Sequence, residues 1–329
     1  MVKHMDGKSD ERESTLRLNS LQMTTPESRV KKVEALGVLD SRLLPDDDFL
    51  ALWDAIILEQ EIKDRLLAQA ILNFTLRPRV NRAIIPLHGI ILLVGVPGTG
   101  KTSLARGLAA RTADALKRSK HFLYIEVEPH ALASSALGKS QKAVTELLGT
   151  TIAEQAKLGP LIVLLDEVET LAADRSKLSL EANPVDVHRA TDAVLAQLDQ
   201  LAGQYPDLLF IATSNFPQAI DAAFVSRADL ILTIDLPGPD ACESILLSTI
   251  QELAKSFPKL GDIPLQPEFE RLGMICQGLD GRRIRKLVAA ACAFDKQTAL
   301  DLNRLTVYDL LRAAEHTQKE ARNGKEQVL

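Results

Sequence analysis

Residues 90–103 read IILLVGVPGTGKTS, an apolar run that breaks into a glycine-rich loop and then into a helical pattern. Ile90–Val94 is continuously apolar rather than alternating, which suits a strand buried on both faces of a parallel sheet. The next eight residues, Gly95-Val96-Pro97-Gly98-Thr99-Gly100-Lys101-Thr102, supply the pattern G-x-x-x-x-G-K-[ST]. Its glycines let backbone N–H groups turn inward around a polyphosphate, and the N-terminus of the following helix adds partial positive charge. Lys101 reaches the β- and γ-phosphates, and the Thr102 hydroxyl takes a place on Mg²⁺. With Ser103 closing the loop, the stretch predicts a nucleoside triphosphate site, with ATP and Mg²⁺ as its ligands.

Composition narrows the rest. A chain of 329 residues predicts about two domains, each with its own core. The net charge of −5 gives no global attraction to nucleic acid or to an anionic membrane. Cys242, Cys276 and Cys292 are widely spaced, and the six histidines are scattered, so zinc and redox-motif readings fail. No apolar run approaches a membrane span, and the N-terminus does not resemble a signal peptide. A cytoplasmic protein with reduced core thiols is the expectation.

In chain order, residues 1–44 read as a largely disordered tail with one short helix around Glu27–Leu36. Phe49–Leu76 carries a helical stripe, broken near Leu58–Glu61, with Trp53 packed in the core. Short apolar runs then alternate with amphipathic helices. The strands are Gly89–Val94, Phe122–Val127, Leu161–Leu165, Leu208–Thr213 and Leu230–Asp235. The helices between them are Lys101–Arg118, Ser140–Lys157 and Val187–Gly203. That alternation predicts a doubly wound α/β domain over 45–237. Pro237-Gly238-Pro239 ends it. Beyond lie only helical stripes, Ala241–Ser256, Pro267–Cys276, Gly281–Leu300 and Thr306–Lys319, so 238–320 forms an all-helical second domain and 321–329 frays.

Three further features complete a site. Leu161–Leu165 runs into Asp166-Glu167. Asp166 is placed to hold Mg²⁺ through water opposite Thr102, and Glu167 to polarise a water against the γ-phosphate, which means hydrolysis. Leu209–Ser214 runs into Asn215, which would orient the attacking water if its strand lies between the two motif strands. Gly281-Arg282-Arg283-Ile284-Arg285-Lys286 opens a helix with positive charge against the macrodipole. A lid arginine contacting the γ-phosphate explains that cost better than a short basic patch without aromatic residues.

These motifs in this order resemble the AAA+ ATPases. Ile220–Asp229 is similar to the segment in which an arginine reaches a neighbouring subunit's γ-phosphate, so Arg227 would be that finger; the alternative is a surface ion pair with Asp229. By the same resemblance Arg282 is the lid arginine, with Arg285 the runner-up. Leu52-Trp53-Asp54, Asp166–Leu171, Ala193–Gln200, Phe224–Asp229 and Gly278–Arg282 look like one subfamily, the pachytene checkpoint ATPases, which include the animal thyroid-receptor-interacting member. The resemblance covers roughly residues 45–300.

It implies a five-stranded parallel sheet in the order 5-1-4-3-2 with a small helical lid, and a homo-hexamer that remodels HORMA-domain proteins by pulling through a central pore. Bacterial relatives sit beside HORMA proteins and cyclic-oligonucleotide synthases in anti-phage defence, so a HORMA protein bound to a nucleotidyltransferase is the implied partner, with neither nucleic acid nor membrane. Two departures stand out. No folded adaptor-binding domain precedes the motor, which favours a bacterial-type member. The first pore loop aligns with Ser134–Ser140, where relatives usually place an aromatic at Ala136; Leu137 would then be the apolar grip, beside Gly138 and Lys139. A second pore loop is expected in Leu178–Asp186. The competing readings are a protease-feeding unfoldase, whose docking tripeptide is missing, a DNA-directed initiator or clamp loader, and a scaffold without turnover.

Overall fold

A computed structural model describes residues 32–116, 121–132, 139–173 and 184–326. Among the described residues its sheet has six strands: β1 (Val38–Leu44), β2 (Ile90–Val94), β3 (Phe122–Val127), β4 (Leu161–Leu165), β5 (Leu208–Ser214) and β6 (Leu230–Thr233). They lie side by side in the order β1-β3-β4-β5-β2-β6. The five from β2 to β6 pair in parallel, in the order the resemblance implied. Every residue of β2, β3, β4 and β5 is buried, as continuous apolar strands require.

The first strand corrects two expectations. β1 pairs antiparallel with β3, so the sheet has six strands and is not purely parallel. Residues 38–44 also belong to the domain rather than to a tail. Its sequence hides it: as an edge strand it is mostly half-buried, with Asp40 and Arg42 ion-paired at 2.6 Å. Residues 32–36, the described end of the expected Glu27–Leu36 helix, are not helical; 27–31 lie outside the described residues.

Helices cover both faces. On one side pack α1 (Asp47–Ala55), α2 (Gln60–Leu76) and α3 (Lys101–Leu116), through Phe49, Trp53, Leu66, Phe74, Leu104 and Leu108. Two edge-to-face aromatic pairs, Phe49 on Tyr124 and Phe74 on Phe122, each at 5.0 Å, fix the first two helices against β3. Such pairs contribute about 0.5–1.5 kcal/mol beyond their burial. A Cβ at Gly107 would lie 2.8 Å from the Trp53 backbone, so α1 and α3 touch backbone to backbone. The other face carries α4 (Lys139–Glu146), continued through a π-helical turn (Leu147–Ile152), and α5 (Pro184–Gln204).

A third core belongs to the helical domain, built from α6 (Pro239–Ala254), α7 (Glu270–Cys276), α8 (Gly281–Cys292) and α9 (Val307–Glu326). The expected helix Gly281–Leu300 is two helices: α8 ends at Cys292, and Asp295 caps a short one, Lys296–Leu300, by accepting from the Thr298 N–H. The chain stays helical through Glu326 where fraying from 321 was expected, and Ala321 packs on the lid core. All three cysteines are free and buried.

Candidate active site

The sheet register pairs Val94 with Ser214 and Leu165 with Ala212. Gly95, Asp166 and Asn215 therefore leave the sheet along one edge, at the carboxyl ends of parallel strands, where open α/β sheets hold ligands. β5 lies between β4 and β2, the position that the reading of Asn215 needed.

A cleft of about 210 Å³ opens there, lined by Pro97, Gly98, Gly100, Lys101, Thr102, Ser103, Asp166, Glu167, Thr213, Asn215 and Arg282. Lys101 is 5% exposed, and its Nζ donates to the carbonyls of Gly95 and Val96 at 2.9 Å each. Burial lowers its pKa, opposed by the carboxylates of Glu169, Asp166 and Glu167. Thr99 Oγ1 donates back to Val96 O at 3.0 Å, tightening the same loop.

The acidic side is a continuous hydrogen-bonded chain. Thr102 Oγ1 donates to Asp166 Oδ1 at 2.9 Å, and Thr213 Oγ1 donates to the same oxygen. Thr213 Oγ1 also accepts the Glu167 N–H at 3.1 Å. Asn215 Nδ2 donates to Glu167 Oε1 at 2.9 Å, and His130 Nε2 stands 3.3 Å from Glu167 Oε2. Glu167 has φ +53 and ψ +53, and no other non-glycine among the described residues has positive φ. A left-handed side chain costs about 1–2 kcal/mol, and such strain concentrates where a side chain must be aimed. Here it aims the glutamate back at Asn215.

The lid meets the phosphate loop directly. Asp280 caps α8, accepting the Arg283 N–H at 3.0 Å and pairing with Arg283 Nε at 3.3 Å, which offsets part of the cationic burst at the helix start. A Cβ at Gly98 would lie 2.3 Å from the Asp280 carboxylate, and the Arg282 N–H donates to Gly98 O at 3.3 Å. Arg282 lines the cleft. Arg285 is engaged elsewhere: its Nη2 donates to Ala55 O at 2.8 Å and its Nη1 reaches Thr249 Oγ1 at 3.4 Å.

Arg227 does not line the cleft, nor does it pair with Asp229. Asp229 accepts the N–H groups of His88, Gly89 and Ile90, tying the approach to β2 against β6. Arg227 pairs instead with Asp199 of α5. Ala136, Leu137 and Gly138 lie outside the described residues, as does 178–183 of the expected second pore loop.

The structure adds residues that motif reading passed over. Thr213, two residues before Asn215 at the polar end of β5, has no role in that reading. Glu169 accepts the Asn215 N–H at 3.0 Å. Ile56 packs over Gly100, 3.4 Å from where its Cβ would be, and Ile57 packs on the lid core. His130 carries no local signal, because its contact with Glu167 joins the helical turn Pro129–Leu132 to the turn after β4, 37 residues on.

Comparison with known proteins agrees with this architecture. The profile of the ATPase family associated with various cellular activities (AAA) matches residues 91–236. CD-NTase-associated protein 6 of Pseudomonas aeruginosa is 58% identical over 286 residues, which is 87% of this chain and 93% of that protein. The pachytene checkpoint protein 2 homolog of Xenopus tropicalis is 33% identical over 328 residues, 92% of this chain and 75% of that protein. A chain of the E. coli MS115-1 HORMA:CdnC:Trip13 complex superposes with a TM-score of 0.66 at 19% identity, over 85% of this chain and 96% of that one, a likeness of fold. The chain belongs to the AAA ATPases, in the group that holds the pachytene checkpoint protein 2 homologues and CD-NTase-associated protein 6.

Proposed function

We propose that this protein is an ATP-driven remodeller of HORMA-domain proteins, acting in a bacterial anti-phage system beside a nucleotidyltransferase that makes cyclic oligonucleotides. What supports the catalytic half is the chain Thr102–Asp166–Thr213–Glu167–Asn215, whose hydroxyl and carboxylate oxygens, second carboxylate and amide donor line one cleft with Lys101. The choice of partner rests on the similarity to CD-NTase-associated protein 6 and on the company kept in the HORMA:CdnC:Trip13 complex.

Thr102 Oγ1 and Asp166 Oδ1 sit side by side at the end of β4, a pair of hard oxygen donors of the kind Mg²⁺ prefers. Thr102 would hold the ion directly and Asp166 through water, and the bound ion neutralises charge on the phosphates. Lys101 stabilises the β- and γ-phosphates. Glu167 takes the proton of the attacking water, and Asn215, bonded to that carboxylate, orients the water. Arg282 reports the γ-phosphate to the lid, and Arg227 supplies transition-state charge to the next subunit of a hexameric ring. Leu137, with Ala136 and Gly138, would grip the HORMA polypeptide at the pore. No helix among the described residues is long and apolar enough to cross a membrane; we place the protein in the cytoplasm.

The test is co-purification. Glu167→Gln protein in ATP should retain a HORMA protein encoded beside it, and release it when ATP is replaced by ADP. Equal recovery in both nucleotides, or none in either, contradicts the reading.

A further inference from the structure

Arg227 is held within its own subunit by three hydrogen bonds. Its Nε and Nη2 form a two-pronged pair with Asp199 at 2.9 and 2.7 Å, and its Nη1 donates to Ala223 O at 2.6 Å. Asp199 is only part-buried, its side chain 40% exposed, so the pair stands at a surface that a neighbouring molecule can reach.

The surroundings of Asp199 are unusual for a simple ion pair. Two more basic groups face the same Oδ1: His88 Nε2 at 3.5 Å and Arg82 Nη2 at 3.8 Å. Arg82 is also fixed by donating its Nη1 to the Asp199 carbonyl at 3.2 Å. Taking the guanidinium away from a lone, partly buried carboxylate leaves that charge uncompensated. Here a second guanidinium already stands beside it. Burial and the Arg82 charge keep the His88 pKa below its ordinary value, and Arg82, a permanent cation 3.8 Å from the carboxylate, is the group that can replace the departing guanidinium. Arg82 thus offsets part of the cost when Arg227 leaves Asp199, while the bond to Ala223 O is lost. What Arg227 leaves for must be more anionic than one carboxylate.

We propose that Asp199 is a positioning residue that parks Arg227 inside its own subunit, and that a neighbour's triphosphate draws the guanidinium out by competing with Asp199 while Arg82 takes over the carboxylate. This rests on the reading of Arg227 as a residue acting across the subunit boundary. A triphosphate carries the charge to win the exchange; a diphosphate, lacking the terminal group, leaves Arg227 parked. The exchange makes each site's turnover depend on the nucleotide next door, which is a coupling between subunits.

The test is the ATP dependence of steady-state hydrolysis by the full-length, assembled protein. Asp199→Asn should lower the half-saturating ATP concentration by about two- to fivefold, the scale of a part-exposed ion pair, bring the Hill coefficient towards one, and leave kcat unchanged. Asp199→Glu should restore wild-type behaviour. Arg82→Ala, which removes the replacement cation, should move half-saturation the opposite way. Matched thermal midpoints confirm that the variants are folded. A fall in kcat in Asp199→Asn, or unchanged half-saturation and Hill coefficient in both Asp199→Asn and Arg82→Ala, overturns the parking role. Arg227→Ala isolates the underlying reading: it should lose about 10³-fold in kcat, and wild-type turnover there removes the trans-acting arginine itself, whatever Asp199 does.

Discussion

Asn215 is bonded twice to the acidic strand end beside it: its Nδ2 donates to Glu167 Oε1 at 2.9 Å, and its backbone N–H donates to Glu169 Oε1 at 3.0 Å. The second bond fixes the backbone, so the first can aim the Glu167 carboxylate. Asn215→Ala should therefore lower kcat by about 10²-fold, the scale of removing one preorganised donor, with nucleotide affinity unchanged. Stopped-flow binding of a fluorescent ATP analogue beside steady-state turnover separates the two quantities. Loss of affinity equal to the loss of rate would mean that Asn215 binds nucleotide rather than orients water.

Arg106 of α3 anchors the site's scaffold from below. It holds Glu126 of β3 through two hydrogen bonds, at 3.0 and 2.7 Å, and Tyr124 donates to the same carboxylate at 2.8 Å. Glu126 is 1% exposed. Arg106→Ala strands a buried carboxylate and should cost about 3–5 kcal/mol in urea unfolding. Arg106→Met combined with Glu126→Leu should recover most of that loss, because an apolar pair needs no compensating charge.

Burial pushes the Cys242 thiol up to about 11 and the Cys276 thiol up to about 12. A raised thiol pKa means less thiolate at any lower pH, so both should resist alkylation near neutral pH and react faster as pH rises. Mass spectrometry after iodoacetamide treatment, native against guanidinium-unfolded, checks this. Rapid native labelling of either residue contradicts a closed lid core.

Asn73 on α2 is 1% exposed, and neither amide atom has a hydrogen-bond partner among the described residues. An unsatisfied buried amide is destabilising. Asn73→Leu, of similar size, should raise stability by about 1–2 kcal/mol in the same unfolding assay. A lower midpoint would mean that Asn73 has a partner in the assembled protein.

What the sequence made legible follows the range of each interaction. The phosphate loop, Asp166-Glu167 and Asn215 are contiguous with buried apolar strands, and the parallel register carries all three to one edge. β1 escaped because an edge strand with Asp40 and Arg42 on it lacks a continuous apolar run. The partner of Arg227 escaped for a different reason. Asp229 is two residues away, yet its carboxylate is consumed by the N–H groups of residues 88–90, while Asp199, 28 residues distant, is brought in by α5. His130 and Glu169 are likewise products of tertiary packing, with no spacing rule to announce them.

In the proposed cycle Glu167 is the general base for hydrolysis. Single-turnover hydrolysis of radiolabelled ATP by Glu167→Gln protein tests it most directly. ATP should bind with near wild-type affinity and be recovered intact, because the amide keeps the shape and loses the basicity. Hydrolysis at the wild-type rate in that variant would contradict it.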